Sequence, residues 1–195
     1  WWLKHIKSLI TLAISMLLII LGIGIIWFST LKIPDLSAFE SRKVAQSTKI
    51  YDKTGQILLY DVHNNAKRTV IPFANISKYI KDATISIEDI DFYNHKGIQP
   101  SSIIRAIIAN IVGGGSVQGG STITQQVVKN SILTKDKTIT RKLKEWILSI
   151  KLEKVLSKEQ IFETYLNENP YGGNIYGVEE ASKMFFGKSA KDVTL

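Results

Sequence analysis

The chain has 195 residues, 45% of them hydrophobic and 22% charged, with 13 Gly and 4 Pro. That length holds one mid-sized folded domain rather than two large ones, and the apolar content excludes a disordered chain. The formal net charge is +8, cysteine is absent, and His5, His63 and His95 lack ligand-like spacing, so a disulfide framework and a thiolate or histidine-rich structural metal site are excluded.

From Ser8 to Leu31 no residue is charged, and Leu9 to Phe28 is dominated by Leu and Ile. At about 1.5 Å per residue this run spans roughly 30 Å, the hydrocarbon thickness of a bilayer. Trp1, Trp2 and Trp27 lie near its ends, where amphipathic rings favour the interface. A cleaved secretory signal has a shorter apolar run ending in small residues, whereas this one ends Ile-Trp-Phe-Ser-Thr, so residues 1–32 are read as an uncleaved anchor. Lys4 and Lys7 favour an N-terminus inside and the remainder outside, against the weaker pull of Lys32, Arg42 and Lys43.

Residues 33–75 read as a linker followed by a small β element. Thr48–Asp52 and Gln56–Tyr60 flank an Asp52-Lys-Thr-Gly55 turn, and Arg68–Ile71 is expected to add a third strand. From Ile76 the apolar period becomes helical. Helices are predicted from Ile76 to Glu88, from Ile103 to Val112 after an opening Pro100-Ser-Ser, from a Ser121 cap to about Leu133, up to Leu156 on a stripe of Ile139, Leu143, Trp146, Ile147 and Ile150, from Ile161 to Asn167 after a Ser157-Lys-Glu-Gln160 capping box, and from Val178 to Phe186. The fold class is mainly α, and residues 76–195 form the principal domain.

Positive charge is concentrated. Between Lys129 and Lys158 nine bases face three acids, leaving +6, which covers the whole excess of residues 33–195. A solvated helix face is the ordinary reading of such a run. Nucleic acid is a second reading, disfavoured by sparse aromatic interleaving and by the anchor, and a phosphate-bearing ligand at a membrane is a third.

Three clusters could carry chemistry. Glu88-Asp-Ile-Asp-Phe-Tyr-Asn-His-Lys-Gly97 follows an amphipathic helix, where partial desolvation favours a general base; its Asp89-Ile-Asp91 also fits, weakly, a metal-binding Asp-x-Asp pattern. Gly113 to Gln126 is a glycine-rich stretch running into a helix start, suited to an anion but lacking the Gly-Lys-Ser/Thr of a P-loop. Arg141-Lys-Leu-Lys-Glu145 places an acid beside two bases on one helical surface, either an exposed ion pair or a pyrophosphate site.

Together these motifs resemble the peptidoglycan glycosyltransferase domain, glycosyltransferase family 51, found in class A penicillin-binding proteins. The family pattern Glu-Asp-x-x-Phe-x-x-His-x-Gly matches Glu88 to Gly97, Gly-Gly-Ser-Thr-Ile-Thr-Gln-Gln matches Gly119 to Gln126, and Arg-Lys-x-x-Glu matches Arg141 to Glu145. Two more motifs match at Ile161–Asn167 and Gly177–Lys188. The resemblance implies a membrane-anchored, lysozyme-like helical domain at the outer face of the cytoplasmic membrane that polymerises lipid II into glycan strands with inversion. Its missing last part implies truncation at the C-terminus, and the absent initial Met agrees with a fragment of a longer protein.

By position, the resemblance makes Glu88 the general base and Glu145 a second catalytic carboxylate, acting directly or through a divalent cation such as Mg2+. Lys129, Lys137, Arg141 and Lys142 would stabilise the leaving pyrophosphate, while Asp89, Phe92, His95, Ser121, Thr122, Gln126 and Asn167 would contact substrate or shape the cleft. The implied partners are lipid II, the growing strand and membrane lipids. Two positions depart from the pattern: Lys137 replaces the usual Arg, and Glu180 replaces a small apolar residue, which predicts altered packing or a more exposed last helix. The rival readings are a glycan-cleaving lysozyme-like enzyme and a tethered lipid II binding module without turnover.

Overall fold

A computed structural model describes residues 2–30, 36, 39, 42, 44–62, 66–112, 119–133 and 138–195. The chain divides into two units, Trp1–Pro34 and Asp35–Leu195. The first is one helix, α1 (Trp2–Ser29). Its stretch His5–Trp27 has a mean hydropathy of 2.9 and no buried residues, so it is long and apolar enough to cross a membrane. The hydroxyl of Thr11 inside this run donates to Lys7 O at 2.8 Å, satisfying a polar group that hydrocarbon would leave unpaired.

The second unit opens with the expected hairpin, β1 (Thr48–Tyr51) and β2 (Leu58–Val62), antiparallel with Ile50 opposite Tyr60. Asp52 builds its turn: Oδ1 accepts from the backbone of Gln56 and Ile57, Oδ2 accepts from Thr54, and Gly55 takes φ +72°. The third strand is shorter than predicted and joins a different sheet. Lys67–Arg68 (β3) lies parallel to Ile175–Tyr176 (β5), which pairs antiparallel with Pro170–Gly172 (β4). No periodicity in residues 68–71 could have disclosed a partner more than a hundred residues away.

The remaining elements are helical: α2 (Lys78–Glu88), α3 (Pro100–Val112), α4 (Ile123–Ser131), α5 (Ile139–Val155), α6 (Lys158–Glu168) and α7 (Val178–Phe186). Helix α4 packs on both α5 and α6. Ile123, Val128, Leu148, Leu152, Ile161, Phe162 and Leu166 are fully excluded from solvent, and Phe92 joins them with its ring 5.5 Å from that of Phe162. The inward face of α5 differs from the predicted stripe. It is Glu145, Leu148, Ser149 and Leu152 that are buried, whereas Ile139 is 81% exposed. Helix α4 also begins one residue later than expected: Thr122 is the cap, in a capping box with Gln125, and Ser121 is free for another contact.

Helix α7 is buried along its first turns, contrary to the exposure that Glu180 suggested. Glu180 is 3% exposed because its Oε1 accepts from Lys49 Nζ of β1 at 2.6 Å and from Thr69 Oγ1, with Lys67 Nζ 3.5 Å from Oε2. Burial alone would push this carboxyl up, but the Lys49 ammonium, the Thr69 hydroxyl and the charge of Lys67 outweigh it and hold it below the ordinary glutamate value. One carboxylate thus fastens the hairpin and β3 to α7. Glu180→Gln is expected to cost about 1–3 kcal/mol of stability at neutral pH. Because the folded-state pKa lies below the unfolded one, the wild-type advantage is fully present above the ordinary glutamate range. It is lost as pH falls through the folded value, so thermal melts of the two proteins should converge in acid.

Candidate active site

The site grows from the end of α2. Ser77 caps this helix by accepting from Tyr79 N, and the helix stops because Asp89 leaves helical geometry at φ −163°. Asp89 is 5% exposed, and a buried carboxylate requires partners. It has two. Ile123 N, at the N-terminus of α4, donates to Oδ2 at 2.9 Å, where the helix dipole also favours an anion, and His95 Nε2 lies 3.0 and 2.9 Å from the two oxygens. Gly97 N donates to His95 Nδ1 at 3.1 Å, so Nε2 is the nitrogen that carries the proton and gives it to Asp89.

Further contacts lock this loop. Thr122 Oγ1 donates to Gly97 O at 2.7 Å, and Lys158 Nζ donates to His95 O while lying 4.5 Å over the Phe92 ring. Gly97 has φ +90°, and a Cβ there would stand 2.6 Å from Ser149 O. Only glycine lets the loop lie against the backbone of α5.

Glu88, one residue before Asp89, has the opposite environment. It is exposed, and its Oε2 accepts from Gln126 Nε2 of α4 at 2.7 Å. The desolvation expected for a general base is not supplied by this unliganded surface. Ile87 and Ile90 on either side are 81% and 72% exposed, so an amphiphilic molecule covering them would exclude water from Glu88 as well.

On α5 the acid of the basic cluster is buried rather than forming an exposed pair. Glu145 is 1% exposed, with Arg141 Nη1 2.9 Å from Oε2 and Lys142 Nζ donating to Oε1. Lys142 Nζ also donates to Ser121 Oγ at 2.7 Å, which is the contact Ser121 makes in place of capping. Arg141 Nε is buried without an acceptor among the described residues. A cleft of about 270 Å³ is lined by Glu88, Gln99, Ser102, Arg105, Gly120 and Ser121 among others.

The family model described as Transglycosylase matches residues 55–195. The chain belongs to the transglycosylase family. Among curated proteins it is 42% identical over 166 residues to a penicillin-binding protein 1A from Clostridium tetani, covering 83% of this chain and 21% of the relative. It is 43% identical over 149 residues to penicillin-binding protein 1F of Bacillus subtilis (76% and 21%), and 46% identical over 136 residues to penicillin-binding protein 1B of Haemophilus influenzae (68% and 17%). The chain spans about a fifth of the length of the relatives it matches.

Within this transglycosylase domain the expected residues fall into two groups. Glu88, Gln126, Ser121 and Lys142 stand at or beside the cleft, and Lys129 is exposed in the last turn of α4. Asp89 and Thr122, although buried, also line the cleft, and Phe92 and His95 belong to the framework beneath it. Asn167 belongs to the framework too, since its carboxamide exchanges hydrogen bonds with Ile71 N and Ile71 O and it is only 2% exposed. Lys137 and Gly113–Gln118 lie outside the described residues.

The transglycosylase residues do not fit a metal where it was expected. Each oxygen of Glu145 faces a cationic nitrogen, Asp89 is committed to His95 and Ile123, and Asp91 Oδ2 accepts from Gln99. No group of three or more His, Asp or Glu among the described residues is arranged to hold an ion.

Three residues near the site were missed in the sequence. Arg105 is the sole charged residue of α3 and reaches the cleft, and an isolated base in an apolar helix was the signal for it. Tyr171 has its phenol pushed up to about 12 by burial first and by the charge of Glu88 second, and Tyr165 is raised by the same two causes in the same order. Gly97→Ala combines a positive φ with a backbone clash, whereas Gly55→Ala has open space and only the φ penalty. Thermal melts of the full chain in detergent should show Gly55→Ala costing about 1 kcal/mol and Gly97→Ala at least twice that.

Proposed function

We propose that this chain is a peptidoglycan glycosyltransferase that polymerises lipid II, anchored by α1 with its N-terminus inside and the catalytic domain at the outer face of the cytoplasmic membrane. The observation carrying this reading is the exposed Glu88 carboxylate on the rim of a cleft that also holds Arg105 and, through Ser121, Lys142. A base and a phosphate-binding surface in one cleft are what transfer from a pyrophosphate-linked donor requires.

In this reading Glu88 removes the proton from the 4-hydroxyl of the acceptor GlcNAc as that oxygen attacks the anomeric carbon of the donor, whose bond to pyrophosphate breaks with inversion. Gln126 holds one carboxylate oxygen of Glu88 and leaves the other to accept the proton. Lys129, Lys137, Arg141, Lys142 and Arg105 meet the charge that grows on the leaving pyrophosphate. Glu145 acts through Arg141 and Lys142, fixing the direction of their donors. The charge a divalent cation would supply is provided here by these side chains. Exposed Ile87 and Ile90 suit a polyprenyl substrate and the surrounding membrane lipids.

A glycan-cleaving enzyme has no use for the pyrophosphate-binding cations, which favours synthesis over cleavage. The test is to incubate the detergent-solubilised chain with labelled lipid II and resolve the products by gel. Wild type should give a muramidase-sensitive ladder, and Glu88→Gln should lower the rate about a hundredfold or more while lipid II binding is kept. Binding without a ladder in wild type would identify a tethered binding module, and shortening of preformed glycan would identify a hydrolase.

A further inference from the structure

Arg105 is held in the cleft by three side chains that the reaction above does not use. Its Nη2 donates to Ser102 Oγ at 3.3 Å, Ser102 Oγ donates to Gln99 Oε1 at 2.6 Å, and Gln99 Nε2 donates to Asp91 Oδ2. Every bond points the same way. Asp91 can only accept, which fixes the amide of Gln99; the amide oxygen then takes the Ser102 proton, leaving the hydroxyl lone pairs for the guanidinium. A chain with a cation at one end and a carboxylate at the other polarises each bond in the same sense.

The placement of these groups has a purpose beyond packing. Asp91 and Gln99 are half-buried, Ser102 is 7% exposed and Arg105 is exposed, so the relay passes through a buried hydroxyl to a solvated head. Asp91 sits in the turn that directly follows Glu88, and Gln99, Ser102, Arg105 and Glu88 all line one cleft. The relay therefore refers the position of the cation to the same turn that carries the carboxylate.

We propose that Asp91, Gln99 and Ser102 are positioning residues that aim the Arg105 guanidinium at the pyrophosphate of the bound lipid. This rests on the lipid II reading for the identity of the anion. An arginine fork gains its advantage over lysine only when its plane is fixed, so loosening the relay removes the advantage while leaving the charge.

The full chain in detergent would be titrated with undecaprenyl pyrophosphate and assayed separately for polymerisation of lipid II, with thermal melts of every variant. Ser102→Ala should weaken binding about tenfold, with the loss in KM more than kcat, and Ser102→Thr, which keeps the hydroxyl, should stay within about twofold of wild type. Arg105→Lys should also cost about tenfold, and the double variant Ser102→Ala/Arg105→Lys should be little worse than either alone. Unchanged binding in Ser102→Ala, equal losses in Ser102→Ala and Ser102→Thr, or additive losses of about a hundredfold in the double variant would each overturn the relay. Polyprenyl pyrophosphate binding with this pattern but no polymerisation would leave the relay standing and sink the polymerase reading; no binding by wild type would sink both.

Discussion

The domain depends on one buried carboxylate. Asp89 ends α2, receives the first backbone N–H of α4 and holds His95 in a single tautomer, so a charge that would be costly alone becomes the joint between two helices and a loop. With Asp89 committed inward, the backbone turns Glu88 outward. A buried acid and an exposed one thus sit side by side, and the buried one fixes the turn that carries the other.

The same division recurs with charge elsewhere. Glu145 is sealed against two cations and Glu180 against another pair, while Lys129, Arg105 and Glu88 stay at the surface. Buried ionic groups of this kind add little net stability over an apolar substitute, but removing one partner is costly, so they specify geometry more than they strengthen the fold. The local excess of positive charge on α4 and α5 is therefore not a uniformly solvated face. Part of it is spent orienting an internal acid, through Arg141 and Lys142 on Glu145.

Much of this was legible in the sequence because local rules carried it. The hairpin turn followed from Asp52 and Gly55, the capping box from Ser157 and Gln160, and the helix spans from apolar spacing. What escaped were choices made by distant partners. Ser121 and Thr122 are equally good caps until Lys142 claims one of them, and the Arg141–Glu145 spacing reads alike whether the acid is exposed or sealed. The inward face of α5 was misplaced because it buries the polar Glu145 and Ser149, a choice no hydrophobic period expresses. Glu180 read as a misfit only until Lys49, Lys67 and Thr69 came into view.

The contact of Gly97 with Ser149 also bears on how the protein is made. A chain synthesised from its N-terminus delivers the apolar helix first and the Glu88 turn soon after, yet that turn has nothing to rest on until the middle of α5 has emerged. The Asp89 joint must likewise wait for the start of α4, 34 residues downstream. Vectorial synthesis therefore yields the apolar helix well before it yields a settled Glu88 turn, which waits until most of the helices have arrived.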